Sequence, residues 1–182
     1  MHLTSEERAH AIQLLEDSQA EFLDLISGLT SAQWSYREAP DYWSVGETAE
    51  HIVLSEAGMY AKITRALSRP YDPDWEIKTA AKTELIERAV PDRSKTFPAP
   101  EPLRPRSQWA PDETIARYQE ARARSLRFIK ETGQPLKAHV SEHPATVFST
   151  LNAYQWLLYI PLHNIRHNRQ IANNKARPGF PK

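Results

Sequence analysis

Eight of the chain's fourteen prolines fall within residues 70–111. Proline has no backbone donor, and its ring clashes with the preceding helical turn. That stretch therefore reads as irregular connection rather than a core element. On either side of it, apolar residues recur at helical spacing.

A first helix is expected over residues 5–28. Thr4 and Glu7 have capping-box spacing, and Ile12, Leu15, Phe22, Ile26 and Leu29 make one apolar stripe. A second begins after Ser44, which pairs with Glu47 in another capping box, and its stripe is Val45, Ala49, Ile52, Tyr60, Ile63 and Leu67. A third starts near Pro111 with Ile115, Tyr118, Ser125, Leu126 and Ile129 inward, and stops at Gly133. A fourth covers residues 150–174. Four amphipathic helices and no convincing strand predict an all-α fold, a four-helix bundle. The connection between helices two and three, about forty residues, is longer than an antiparallel neighbour needs. A crossover leaving these two helices parallel follows, in up-down-down-up order. Residues 78–89 are expected to add a short helix within the crossover. Residues 1–182 read as a single domain.

Lysine plus arginine equals aspartate plus glutamate at 23 each, so the basic excess of a nucleic-acid binder is missing. There is no cysteine, hence no disulfide, thiolate ligand or protein-borne thiol nucleophile. The polar start predicts no signal peptide, and no run of about 18 apolar residues predicts a membrane span. A soluble, cytoplasmic protein is the expectation.

His163 and His167 stand four apart in the fourth helix. That spacing stacks side chains on one face, about 5–6 Å apart at Cβ, within reach of one metal ion. They share a polar strip with Gln170 and Asn174, extended by Trp156, Tyr159 and Ile160. Such a pair also occurs on a solvent-facing helix side or in ordinary hydrogen bonding, and two ligands do not close a site. His2 and His10 lie at the N-terminal end, where fraying is usual. His139 and His143 fall in the loop before helix four and read as exposed or capping residues. His51 sits at the margin of the second stripe beside Thr48 and Ser55. An imidazole there needs a partner, and a metal shared with helix four would supply one.

The pattern W-S-x-x-E-x-x-x-H at Trp43, Ser44, Glu47 and His51, followed by H-x-x-x-H-x-x-Q at His163, His167 and Gln170, resembles the DinB/YfiT-like superfamily. So do LTSAQWSYREAPDYWSV and HPATVFSTLNAYQWLLYIPLHNIRHNRQI. The resemblance implies a four-helix bundle with a long crossover. It also implies a divalent metal, usually zinc or nickel, held by three histidines that map onto His51, His163 and His167. Three protein ligands leave a coordination position open, as in catalytic sites. The resemblance further implies a small-molecule substrate, handled by a thiol-dependent transferase or a hydrolase, and a homodimer as the assembly. Without cysteine, any thiol would be a low-molecular-weight cosubstrate. The alternative is a non-catalytic metal-binding or stress-related interaction bundle.

Supporting residues carry two readings each. Glu47 is a metal-site carboxylate or a cap, and Ser44 at the matching position favours the cap. Gln170 orients a ligand or bonds between helices; Tyr159 donates a proton or packs. With Arg166, these two are the expected walls of a substrate cleft. Glu56 and Arg122, each near the middle of an apolar stripe, are expected to pair inside the bundle. Pro161 is expected to interrupt and bend helix four.

Overall fold

The structure, a computed structural model, describes residues 1–94 and 98–182. In chain order its elements are α1 Ser5–Ile26, α2 Ser31–Trp34, α3 Val45–Leu67, α4 Trp75–Thr79, α5 Lys82–Ala89, α6 Pro111–Glu131, β1 Val140–Glu142, β2 Thr150–Asn152 and α7 Ala153–Lys175. The four long helices α1, α3, α6 and α7 form a four-helix bundle. Both α7 and α6 pack against α1 and α3, so they lie on opposite sides of that pair.

Contacts at the helix ends give the directions. At the start of both α1 and α7, the Tyr154 hydroxyl donates to the Glu7 carbonyl. At their far ends Lys175 Nζ donates to the Leu25 carbonyl, so the two helices are parallel. Glu56 meets Arg122 and Tyr60 meets Phe128, so α3 and α6 are parallel too. Phe22 against Tyr118 and Glu16 against Lys130 make α1 and α6 antiparallel. Asn174, late in α7, donates to the Trp43 carbonyl just before α3, which makes those two antiparallel. The order is up-down-down-up. The crossover between α3 and α6 runs over residues 68–110.

Helix starts follow local chemistry. Thr4 with Glu7, and Ser44 with Glu47, form reciprocal capping boxes, and Pro111 occupies the first turn of α6. Three expectations are corrected. The fourth helix starts at Ala153, because Thr150–Asn152 pairs antiparallel with Val140–Glu142 and Asn152 becomes the N-cap. Residues 78–89 do not form one helix. Ala81, left-handed at φ 56°, separates α4 from α5. Pro161 lies inside α7 without interrupting it. It is buried in a helix that packs against both α1 and α3, contacts that offset the missing backbone bond.

The core has two apolar clusters. One contains Leu15, Met59, Ile63, Ile129, Leu157 and Leu158; the other contains Phe22, Val45, Ile52, Tyr118 and Ile171. A polar layer separates them. Arg122, fully buried, pairs with Glu56 at 3.0 Å, as the two mid-stripe charges required. Its guanidinium also donates to Ser18 Oγ and Asn164 Oδ1, both at 2.8 Å. Asn164 donates to Asn168, which donates to Glu21. Such a layer is tolerable only because its members are bonded to one another.

Candidate metal centre

Asn164 and Asn168 belong to the polar layer, and the residues just before them on α7 are His163 and His167. On the antiparallel neighbour α3, His51 comes up beside this pair. Ring centroids are 5.1 Å apart for His51 and His163, 4.7 Å for His51 and His167, and 4.5 Å for His163 and His167. One nitrogen from each ring lies within 4.8 Å of the others. Among the described residues no other group of three or more histidines and carboxylates meets this way.

Two of the rings are fixed in tautomer. His51 Nδ1 lies 2.7 Å from the Leu103 carbonyl, which can only accept, so Nδ1 carries the proton and Nε2, with Ser55 Oγ 3.3 Å away, keeps its lone pair. His167 Nδ1 likewise donates to Gln170 Oε1 at 2.9 Å. The same oxygen accepts from Arg93 Nη1 at 2.9 Å, which orients the Gln170 amide. This is the arrangement by which ligating histidines are usually oriented. The Nε2 atoms of His163 and His167 are 3.3 Å apart. Two nitrogens bound to one tetrahedral ion at about 2.0–2.1 Å are about 3.4 Å apart. The donor set therefore fits a divalent transition metal.

Burial favours the neutral form of all three. It pushes the His51 pKa below its ordinary value, and those of His163 and His167 well below. The neighbouring imidazoles and Arg166 press His163 and His167 further the same way. His51 and His167 are only 4% and 7% exposed, whereas His163 is half-buried. The accessible side of the cluster is thus at His163.

Around the rings, Trp43 packs on His51 with centroids 4.7 Å apart. Tyr159 stacks on His163 at 6.3 Å, and it packs among His143, Phe148 and Trp156. Gln170 touches His167. Arg166 donates to the Asp92 carbonyl. Glu47 serves the capping box and accepts from Arg37 at 2.8 Å, so it does not join the cluster. The expected cleft walled by Tyr159, Arg166 and Gln170 is not matched by the two surface cavities described. One lies between Glu7, Trp75 and Gln155, the other between Arg69, Tyr71 and Lys78, and no histidine lines either.

His143, expected to be exposed or capping, is half-buried and takes a backbone amide. The β1–β2 turn folds it onto α7, where it stacks on Trp156 at 5.0 Å and accepts from the Ala145 amide. Burial lowers its pKa to about 4. His139 contacts the Arg69 carbonyl and His10 pairs with Glu87, so neither approaches the triad. Sequence reasoning missed the Leu103 carbonyl and Arg93. A backbone carbonyl carries no residue signature, and Arg93 lies in the crossover, where no periodicity points to a face.

The match to known proteins agrees with this picture. The family model for the DinB superfamily matches residues 14–171. The fold is similar to that of YfiT from Bacillus subtilis, described as a probable metal-dependent hydrolase with an unusual four-helix bundle topology. That likeness has a TM-score of 0.66 and 19% identity, and covers 98% of this chain and 91% of the other. No curated protein matches the chain. By the extent of the family match, the chain belongs to the DinB superfamily.

Proposed function

We propose that this protein is a metal-dependent hydrolase of a small-molecule substrate, with one divalent ion, zinc or nickel, held by His51, His163 and His167. The observation that carries the reading is the convergence of three neutral imidazoles without a fourth protein ligand among the described residues. Structural zinc sites are normally closed by four protein ligands, whereas three leave a position for substrate or water. When bound, such an ion supplies Lewis acidity, which brings the pKa of water toward neutrality and polarises a carbonyl.

The chain's own groups do the positioning. Substrate approaches on the half-buried His163 side, past the ring of Tyr159. Burial raises the Tyr159 pKa to about 12, so its hydroxyl is a donor and not a base at neutral pH. Neither nearby carboxylate is free to act as a base. Glu47 caps α3 and binds Arg37, and Glu50 accepts two backbone amides.

The likeness to YfiT favours hydrolysis over transfer. Thiol-dependent transfer is the second reading, supported by the family resemblance, with the thiol as cosubstrate. The test is turnover by the zinc- or nickel-loaded protein. Activated esters and amides form one panel, and low-molecular-weight thiols with electrophiles form the other. Hydrolysis that disappears in His51→Ala supports the proposal. Thiol consumption alone would favour the transferase, and metal uptake with no turnover in either panel would favour a non-catalytic bundle.

A further inference from the structure

The crossover does more than connect two parallel helices. Glu50, 2% exposed and adjacent to His51, faces it. Its carboxylate accepts the Arg106 amide at 3.0 Å and the Gln108 amide at 3.2 Å. A few residues earlier, the Leu103 carbonyl receives His51 Nδ1–H. The Leu103 side chain sits over Gly58 of α3, where a Cβ would stand 3.3 Å from Leu103 Cδ2. Prolines at 98, 100, 102 and 105 restrict this stretch, reducing the freedom it must lose to dock. Ten residues before Leu103 the crossover also supplies Arg93, which holds the Gln170 oxygen that receives His167 Nδ1–H. Two of the three imidazoles are therefore oriented by groups of the crossover, and a buried carboxylate beside the first fastens the part at residues 106–108.

We propose that Arg93 and residues 103–108 of the crossover orient the metal centre, with Glu50 as the positioning residue that latches residues 103–108, so that metal binding and the order of residues 103–108 are linked. This inference rests on the metal-centre reading above. Glu50 touches neither ion nor substrate; it acts through the Leu103 carbonyl. Outer groups that orient metal-bound histidines typically change metal affinity by about 10–100-fold.

The test is Zn²⁺ affinity by competition with a chromophoric chelator. Glu50→Gln places an amide donor against one of the two backbone donors, and is expected to weaken Zn²⁺ binding by about 10–100-fold. Ser44→Ala removes the N-cap hydroxyl of the same helix, which bonds the Glu47 amide and not the crossover, while Glu47 keeps its contact with Ser107; it should leave the affinity within about twofold, since capping contributes to stability rather than to ligand orientation. Equal affinity in Glu50→Gln and the wild type would overturn the inference, as would an equal loss in Ser44→Ala.

A second measurement uses the unaltered protein and does not depend on how a variant folds. Linkage is reciprocal, so Zn²⁺ must slow hydrogen exchange at the Arg106 and Gln108 amides. Unchanged exchange at both amides, with Zn²⁺ bound, would overturn the latch alone. A wild type that takes up no Zn²⁺ or Ni²⁺, or a His51→Ala variant that takes up as much, would overturn the metal-centre reading and this inference with it.

Discussion

His163 Nε2 and His167 Nε2 face each other at 3.3 Å across one turn of α7. Two imidazoles so close, with His167 already donating through Nδ1, are set to share a cation. Binding to the folded state at a free-metal concentration of about 100 times Kd stabilises by about 2.7 kcal/mol. For a chain of this size that raises Tm by about 5–10 °C. Thermal scans with and without Zn²⁺ should show this rise in the wild type and lose it in His163→Ala and His167→Ala. A rise that persists in either variant would contradict the shared site.

Acid should act on the triad in a stated direction. All three pKa values lie below the ordinary 6.5, first because of burial. A depressed histidine pKa gives stability that is present above the unfolded value and is lost as pH falls toward the folded one. The metal-free protein should therefore lose stability on acidification below about pH 6.5. The neutral rings compete poorly for protons, so Zn²⁺ should stay bound at pH 6, where an exposed histidine pair is already mostly protonated. Equilibrium dialysis across pH 5–8 checks this. Half-release at or above pH 6.5 would count against the buried geometry.

The pairing of Arg122 with Glu56 sets the cost of disturbing the core. Both are buried, and removing one partner leaves the other charge unpaired, a loss of about 3–5 kcal/mol. Arg122→Met should fall in that range by urea denaturation. The double variant Arg122→Met with Glu56→Met should recover much of the loss, because apolar replacement of both ions is often neutral. A double variant as unstable as the single would show that the layer's other bonds, to Ser18 and Asn164, carry the stability.

Much of this was legible in the sequence, and the reason differs from residue to residue. The long helices declared themselves through apolar residues recurring every three or four positions, and Thr4 with Glu7 and Ser44 with Glu47 marked two starts. Glu56 and Arg122 stood out because a charge within an apolar stripe demands a partner. The hairpin was invisible, since three-residue strands are too short for alternation to register. The break at Ala81 was invisible too, because alanine is the last residue expected to leave a helix for the left-handed region. At the site, the four-residue spacing of His163 and His167, the place of His51 at a stripe margin and the family resemblance made all three candidates. What orients them, the Leu103 carbonyl and Arg93, comes from tertiary placement of the crossover.

Gly46 offers a test of how tightly the start of α3 is packed. A Cβ there would stand 2.2 Å from Trp34 Nε1, far inside contact distance. Replacing helical glycine by alanine normally gains about 0.8–1 kcal/mol. The displaced indole should outweigh that, giving Gly46→Ala a net loss of about 1–3 kcal/mol in chemical denaturation. A stabilised Gly46→Ala would mean that Trp34 moves aside freely.

The central claim is that His51, from another helix, completes the site begun by His163 and His167. Elemental analysis of protein purified in parallel as wild type and as His51→Ala tests it most directly. One divalent ion per wild-type chain, with little or none in the variant, is the expected result. Equal metal content in the two proteins would contradict it.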